Sequence, residues 1–223
     1  VGNPWKNWLF VRLETDEGIS GYGEASLNGL QRTIETNINE LEGYFLDKSP
    51  FQVNSISRDM LIGVYADGGQ IHRSAIAAIE GACWDIIGKV LDQPIWNLWG
   101  GRVRDQIPMY ANGWYQSERD PDSFAAKAQN VIDMGYKAMK FDPFGTARAG
   151  LSSKEYKLSL EIVKAVRNAV PSEIDLMIEG HCRLDVPTAL LFARDLADLG
   201  VTWFEEPVYF QNMSGLVEIA KRS

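Results

Sequence analysis

From residue 107 onward the sequence repeats one alternation four times: a short run of β-formers, then a longer stretch of helical period. Ile107 to Ala111 reads as a strand and Ser123 to Met134 as a helix. Ala138 to Phe141 with Ser153 to Val170, Asp175 to Ile178 with Val186 to Leu199, and Val201 to Phe204 with Met213 to Lys221 repeat the pattern. Antiparallel strands can be joined by a tight turn, whereas parallel ones need a long crossover. Strand–helix units in series therefore predict a parallel sheet. Gly135 and Gly200 follow two of the helices, where a left-handed residue closes the last turn. No Gly-x-Gly-x-x-Gly follows any of these strands, so a dinucleotide site has no local support. A closed eightfold barrel takes about 250 residues. The expectation is either an open sheet or half a barrel, as part of a longer polypeptide.

The residues ahead of this region follow another pattern. Trp8 to Glu14 and Ile19 to Glu24 read as two strands around the turn Asp16-Glu17-Gly18. Leu30 to Phe45 carries Ile34, Ile38, Leu41 and Phe45 at helical spacing, and a further helix is expected from Val53 to Leu61. Ile71 to Leu91 is the strongest helical stretch. Its alanines and glycines keep several faces slim, which predicts burial on more than one side. Pro94 ends it, and Leu98-Trp99-Gly100-Gly101 marks a boundary. We therefore expect an α+β domain over 1–105, its first strand lying ahead of Val1, and a βα domain over 106–223.

The chain has 22 Lys and Arg against 30 Asp and Glu, a net charge of −8. Nucleic acids and anionic membrane surfaces call for a basic footprint, so neither is an expected partner. Nothing approaches the roughly 20 apolar residues of a membrane-spanning helix. Two cysteines, Cys83 and Cys182, are too few for a disulfide framework, and reduced thiols in a cytoplasmic protein are the expectation.

In a parallel βα sheet the chemistry lies at the C-terminal ends of the strands. Read in order, these ends are Asn112-Gly113-Trp114, Lys140-Phe141-Asp142, Glu179-Gly180-His181-Cys182-Arg183 and Glu205-Glu206-Pro207. Two carboxylates on neighbouring ends, Glu179 and Glu205, suit a hard cation such as Mg²⁺, which takes oxygen ligands. Lys140 is placed to hold an anionic oxygen of a substrate. His181 is a general acid or base candidate because imidazole titrates near neutrality. The same residues also describe a solvated loop rim, and periodicity alone does not separate the two. His72, Trp84, Trp96 and Trp99 are read as packing residues. Trp5 and Trp8 are left between packing and closure over a substrate.

Taken together, these motifs resemble those of the enolase superfamily, in its mandelate racemase and muconate lactonizing enzyme branch. Trp203-Phe204-Glu205-Glu206-Pro207 is similar to the aromatic-apolar-Glu-Glu-Pro motif ending the fourth barrel strand, whose first Glu is a metal ligand. Glu179 stands 26 residues earlier, where the family places its first metal carboxylate, usually Asp. Leu184 to Ala189 resembles the third βα loop, Gly21-Tyr22-Gly23-Glu24 the Gly-aromatic-Gly-Glu strand, and Ala75 to Gly101 the long helix leading into the barrel.

The resemblance implies an α+β capping domain followed by a TIM-type (β/α) barrel, of which about the first four βα units are present. It implies proton abstraction α to a carboxylate, with a divalent metal, Mg²⁺, stabilising the enediolate. Racemases of the branch carry Lys-x-Lys where this chain has Lys140-Phe141-Asp142. The Glu179-x-His181-x-Arg183 pattern is similar to that of galactonate-type sugar-acid dehydratases. The implied assignments are Glu179 and Glu205 to metal, His181 as acid on the departing 3-hydroxyl, Lys140 to catalysis and substrate, and Asp142 and Arg183 to substrate, with an ion pair to Lys140 as the alternative for Asp142. The expected reaction is loss of water from an aldonate or aldarate. The alternatives are an epimerase, racemase or cycloisomerase of the same superfamily, or a non-catalytic half-barrel. The family's remaining metal carboxylate and general base have no position here and are expected on further strands. A homo-oligomer is the implied assembly.

Overall fold

The structure, a computed structural model, describes residues 7–116 and 118–223. Trp5 lies outside them. The chain divides into two units, Val1–Asp105 and Gln106–Ser223.

In the first unit β1 (Phe10–Glu14) pairs antiparallel with β2 (Ser20–Glu24), Phe10 facing Glu24 and Glu14 facing Ser20. The turn closes through Gly18, whose φ of 82° suits glycine. The helical pattern from 30 to 45 breaks at Leu41 into α1 (Gln31–Glu40) and a short α2 (Glu42–Phe45). A 3₁₀ turn at Pro50–Gln52 leads into α3 (Val53–Gly63), then α4 (Gly69–Val90) and α5 (Ile95–Leu98). The core of this unit joins Ile34, Leu41, Ile56, Met60, Ile79 and Cys83. His72 is buried in it, its ring nitrogens 3.1 Å from Asn37 Oδ1 and 3.0 Å from Met60 O.

The small residues of α4 have a visible purpose. A Cβ at Gly23 would lie 1.9 Å from Ala78 O, and one at Gly21 2.1 Å from Ala82 O. Strand β2 thus rests on the helix backbone itself, one turn per alternate glycine. Gly23→Ala should cost about 3 kcal/mol, at the upper end for overpacking, because the obstacle is backbone rather than a movable side chain. Urea unfolding checks this; a loss under about 1 kcal/mol would mean that the hairpin shifts freely.

In the second unit α6 (Pro121–Asp133) precedes β3 (Ala138–Phe141), followed by α7 (Ser153–Ala169), β4 (Asp175–Glu179), α8 (Val186–Asp198), β5 (Val201–Glu205) and α9 (Met213–Arg222). The three strands are parallel in the order β3-β4-β5. Each helix start is capped by a side chain: Asp120 for α6, a Ser152–Glu155 capping box for α7, Asp185 for α8 and Asn212 for α9. The expected strand at 107–111 is corrected: it contracts to a single bridge, Ala111 to Met139. Pro108 has no N–H for a ladder, and Ile107 and Met109 are exposed. Apolar side chains of all the long elements meet in one core, including Phe124, Phe141, Ile162, Val166, Ile178 and Phe192. Among the described residues no helix is long and apolar enough to cross a membrane.

Candidate active site at the strand ends

Register decides which side chains meet. Lys140 stands opposite Met177, and Glu179 opposite Glu205. Between Leu176 and Met177 the β4–β5 ladder shifts by one residue, so that Leu176 faces Val201 but Met177 faces Trp203. Thr202 is the extra residue, and its Oγ1 donates to Leu176 O at 3.2 Å. Without this bulge Glu179 would face Phe204, and the two carboxylates would lie on opposite faces of the sheet. With it, Lys140, Met177, Glu179, Trp203 and Glu205 share one face. Phe141, Ile178 and Phe204 share the other, against the helices.

On the polar face the Lys140 ammonium bridges the two glutamates, 2.9 Å from Glu179 Oε2 and 2.7 Å from Glu205 Oε1. The side chains of Lys140 and Glu179 are only 6% and 8% exposed, that of Glu205 33%. Burial alone disfavours the ammonium, but the hydrogen bonds to Glu205 and Glu179 outweigh it, and the Lys140 pKa is raised. The other carboxylate oxygens are also engaged: Glu179 Oε1 accepts from the His181 backbone N–H at 2.9 Å, and Glu205 Oε2 from Trp203 Nε1 at 3.2 Å. The Tyr110 ring lies 5.5 Å from the ammonium. Neither Trp203 nor Tyr110 was a site candidate in the sequence, although Trp203 stands two residues before Glu205 and so shares its face.

A second cluster adjoins the first. His181 Nδ1 lies 2.7 Å from Asp142 Oδ2, and Arg183 Nη2 also pairs with that oxygen. The other oxygen of Asp142 accepts from Phe144 N at 2.9 Å, fixing the turn after β3. Arg183 reaches on to the carbonyl of Gly145. Arg119, unremarked in the sequence, supports the same turn, donating to Pro143 O at 2.8 Å and to the buried Ser159 Oγ at 2.7 Å. The loops after β4 and β5 zip together through Gly180 N to Glu205 O, Cys182 N to Glu206 O and Leu184 N to Pro207 O. His181, Cys182 and Glu206 have φ of 45°, 59° and 40°, an uncommon conformation for side-chain-bearing residues. Strain of this kind concentrates at functional sites. The Cys182 thiol, pushed up chiefly by burial, lies 3.6 Å from Glu206 Oε2.

All six residues singled out as site candidates, Lys140, Asp142, Glu179, His181, Arg183 and Glu205, thus belong to two touching clusters. The donor chemistry fits a hard divalent cation: two anionic oxygen donors face each other in register, and a buried cationic group already sits between them. Among the described residues no group of three or more His, Cys, Asp or Glu converges as a metal site. One or two carboxylates completed by water is a ligand set that Mg²⁺ accepts.

Comparison with known proteins agrees with this architecture. Residues 5–100 match the family profile of the mandelate racemase / muconate lactonizing enzyme N-terminal domain, and residues 123–223 that of the enolase C-terminal domain-like family. The D-gluconate/D-galactonate dehydratase of Picrophilus torridus is 33% identical over 221 residues, covering 98% of this chain and 56% of that protein. The D-galactonate dehydratase of Cronobacter sakazakii is 34% identical over 203 residues, covering 90% of this chain and 52% of its own. This chain spans about half the length of the curated relatives it matches. A crystal structure from Mesorhizobium loti superposes with a TM-score of 0.95 at 31% identity, over all of this chain and 62% of that one. A member of the enolase superfamily from Salmonella Typhimurium gives 0.90 at 28% identity, over 100% and 62%. The fold is accordingly an N-terminal capping domain followed by part of a TIM-type barrel. With both of its units matched in the family's order, the chain belongs to the enolase superfamily, within the mandelate racemase and muconate lactonizing enzyme group.

Proposed function

We propose that the protein carrying this chain is a lyase that removes water from a sugar acid, leaving a 2-keto-3-deoxy acid. The observation that carries this reading is the pairing of two in-register glutamates around a buried lysine, with an imidazole at the next turn. Two relatives are named dehydratases of gluconate or galactonate, which supports the same substrate class.

Glu179 and Glu205 would hold Mg²⁺, which supplies positive charge where the substrate carboxylate gains negative charge as its α-proton leaves. Lys140, held protonated by the glutamates, is unsuited to accept that proton, which passes to a base elsewhere in the full polypeptide. The role of Lys140 is electrostatic, attracting the anionic end of the substrate. His181 stands on the exposed side of the same rim and gives a proton to the 3-hydroxyl. The C3–O bond then breaks, the hydroxyl departs as water, and the C2–C3 double bond forms an enol that tautomerises to the keto acid. Arg183 borders the sugar chain.

The test is formation of 2-keto-3-deoxy acid from a panel of hexonates and pentonates, by the full natural polypeptide with Mg²⁺. Glu205→Gln removes one anionic ligand and should lower turnover at least about 10³-fold while weakening Mg²⁺ binding. Epimerised acids without water loss would move the assignment to an epimerase. Metal binding without any turnover across the panel would overturn the reading.

A further inference from the structure

Resting on the elimination reading, we infer that Asp142 is a positioning residue that fixes the direction of the His181 ring, with Arg183 as its clamp. From the sequence, Asp142 stood between a substrate hydroxyl and an ion pair with Lys140. Its geometry points elsewhere: the side chain is 8% exposed and both oxygens are already engaged. Oδ1 belongs to the turn through Phe144 N, and Oδ2 receives His181 and Arg183.

The protonation pattern follows from the partners. An ionised Asp142 only accepts, so the 2.7 Å contact requires a hydrogen on His181 Nδ1. Arg183 Nη2, 3.0 Å from the same nitrogen, is also a donor and so cannot be what Nδ1 bonds to. Among the described residues Nε2 has no hydrogen-bond partner, and the side chain is 50% exposed. Nε2 is therefore the nitrogen presented for proton donation. When its proton passes to the leaving hydroxyl, the ring remains bound to Asp142 as the Nδ1–H tautomer.

Backbone alone does not fix this ring. His181 and Cys182 lie in the left-handed region, φ 45° and 59°, in the loop that follows β4. Asp142 is anchored at the end of β3, a different strand, by its turn and by Arg183, which itself bonds to the carbonyl of Gly145. The acid is thus attached to the rigid sheet through a carboxylate 39 residues away.

Two measurements on the full polypeptide test this. In the first, water loss from a sugar acid is compared with fluoride loss from its 3-deoxy-3-fluoro analogue, since fluoride leaves as an anion and takes no proton from an acid. Asp142→Ala should lower kcat for water loss about 10²-fold, with KM and fluoride release within about threefold of the parent. Asp142→Asn has one accepting oxygen for donors on two sides, Phe144 N–H and His181 Nδ1–H, so its NH2 meets one of them and the variant should recover little of the loss. Equal losses on both substrates, or a raised KM with kcat intact, would overturn the inference. The second needs no turnover: ¹⁵N shifts of the neutral His181 ring should show Nδ1–H in the parent and lose that preference in Asp142→Ala. An Nε2–H ring in the parent would overturn the positioning role. An Nδ1–H ring in a protein that eliminates neither water nor fluoride would leave the positioning standing and dismiss the elimination.

Discussion

Lys140→Met should destabilise the protein by about 3 kcal/mol in metal-free buffer, the low end of the range for breaking a buried ion pair. The ammonium is almost fully buried and lies 2.9 and 2.7 Å from two carboxylates. Removing it leaves Glu179 buried with its charge uncompensated and facing Glu205 across the strand ends. Glu205 is a third exposed, so water screens part of the repulsion, which keeps the effect at the low end. The sign of the pH dependence follows from the raised Lys140 pKa. The bridge contributes fully below the ordinary lysine value near 10.4 and is lost only as pH rises through the higher folded value. The difference from the parent should therefore be flat across neutral pH and shrink in strong alkali. Mg²⁺ should recover more stability in the variant than in the parent, because no ammonium competes for the carboxylate oxygens. Urea unfolding with and without Mg²⁺ measures both effects. Equal stability of variant and parent would mean that the bridge carries no weight.

His181→Asn should lower kcat for water loss by about 10²- to 10⁴-fold, the usual contribution of a general acid. Asparagine is the informative replacement because it tolerates the left-handed backbone that His181 occupies at φ 45°. The loop conformation and the backbone hydrogen bond to Glu179 are then preserved, so Mg²⁺ binding should be unchanged. Isothermal titration with Mg²⁺ alongside steady-state kinetics separates the two. Loss of metal binding would show that the side chain supports the cation site rather than the leaving group.

Much of this molecule is local and therefore legible along the chain. Strand β3 falls on the run Ala138–Phe141 read from its β-formers, and α7 and α8 on their apolar periods, because side chains two or 3.6 residues apart sort themselves onto faces without reference to distant chain. Asp120, Ser152 and Asp185 cap the starts of α6, α7 and α8 by contacts within three residues. Strand ends follow from strand positions, and so the rim residues Lys140, Glu179, His181 and Glu205 were identifiable as neighbours of one edge.

Other features depend on partners that local pattern does not contain. The run from Ile107 to Ala111 has the composition of a strand but only one bridge, since a ladder needs a donor at Pro108 that proline lacks. The slim face of α4 was readable, whereas the close approach of Gly21 and Gly23 to its carbonyls was not.

The sequence by itself determined which residue types stand at each strand end, and with them the family. Tertiary structure alone decided how they pair. One extra residue, Thr202, shifts the β4–β5 ladder and brings Glu179 opposite Glu205. Crossovers of 39 residues then carry Lys140 between them and Asp142 to the His181 ring. The physical reason is parity: side chains alternate across a sheet, so a single-residue change in register moves a carboxylate from one face to the other.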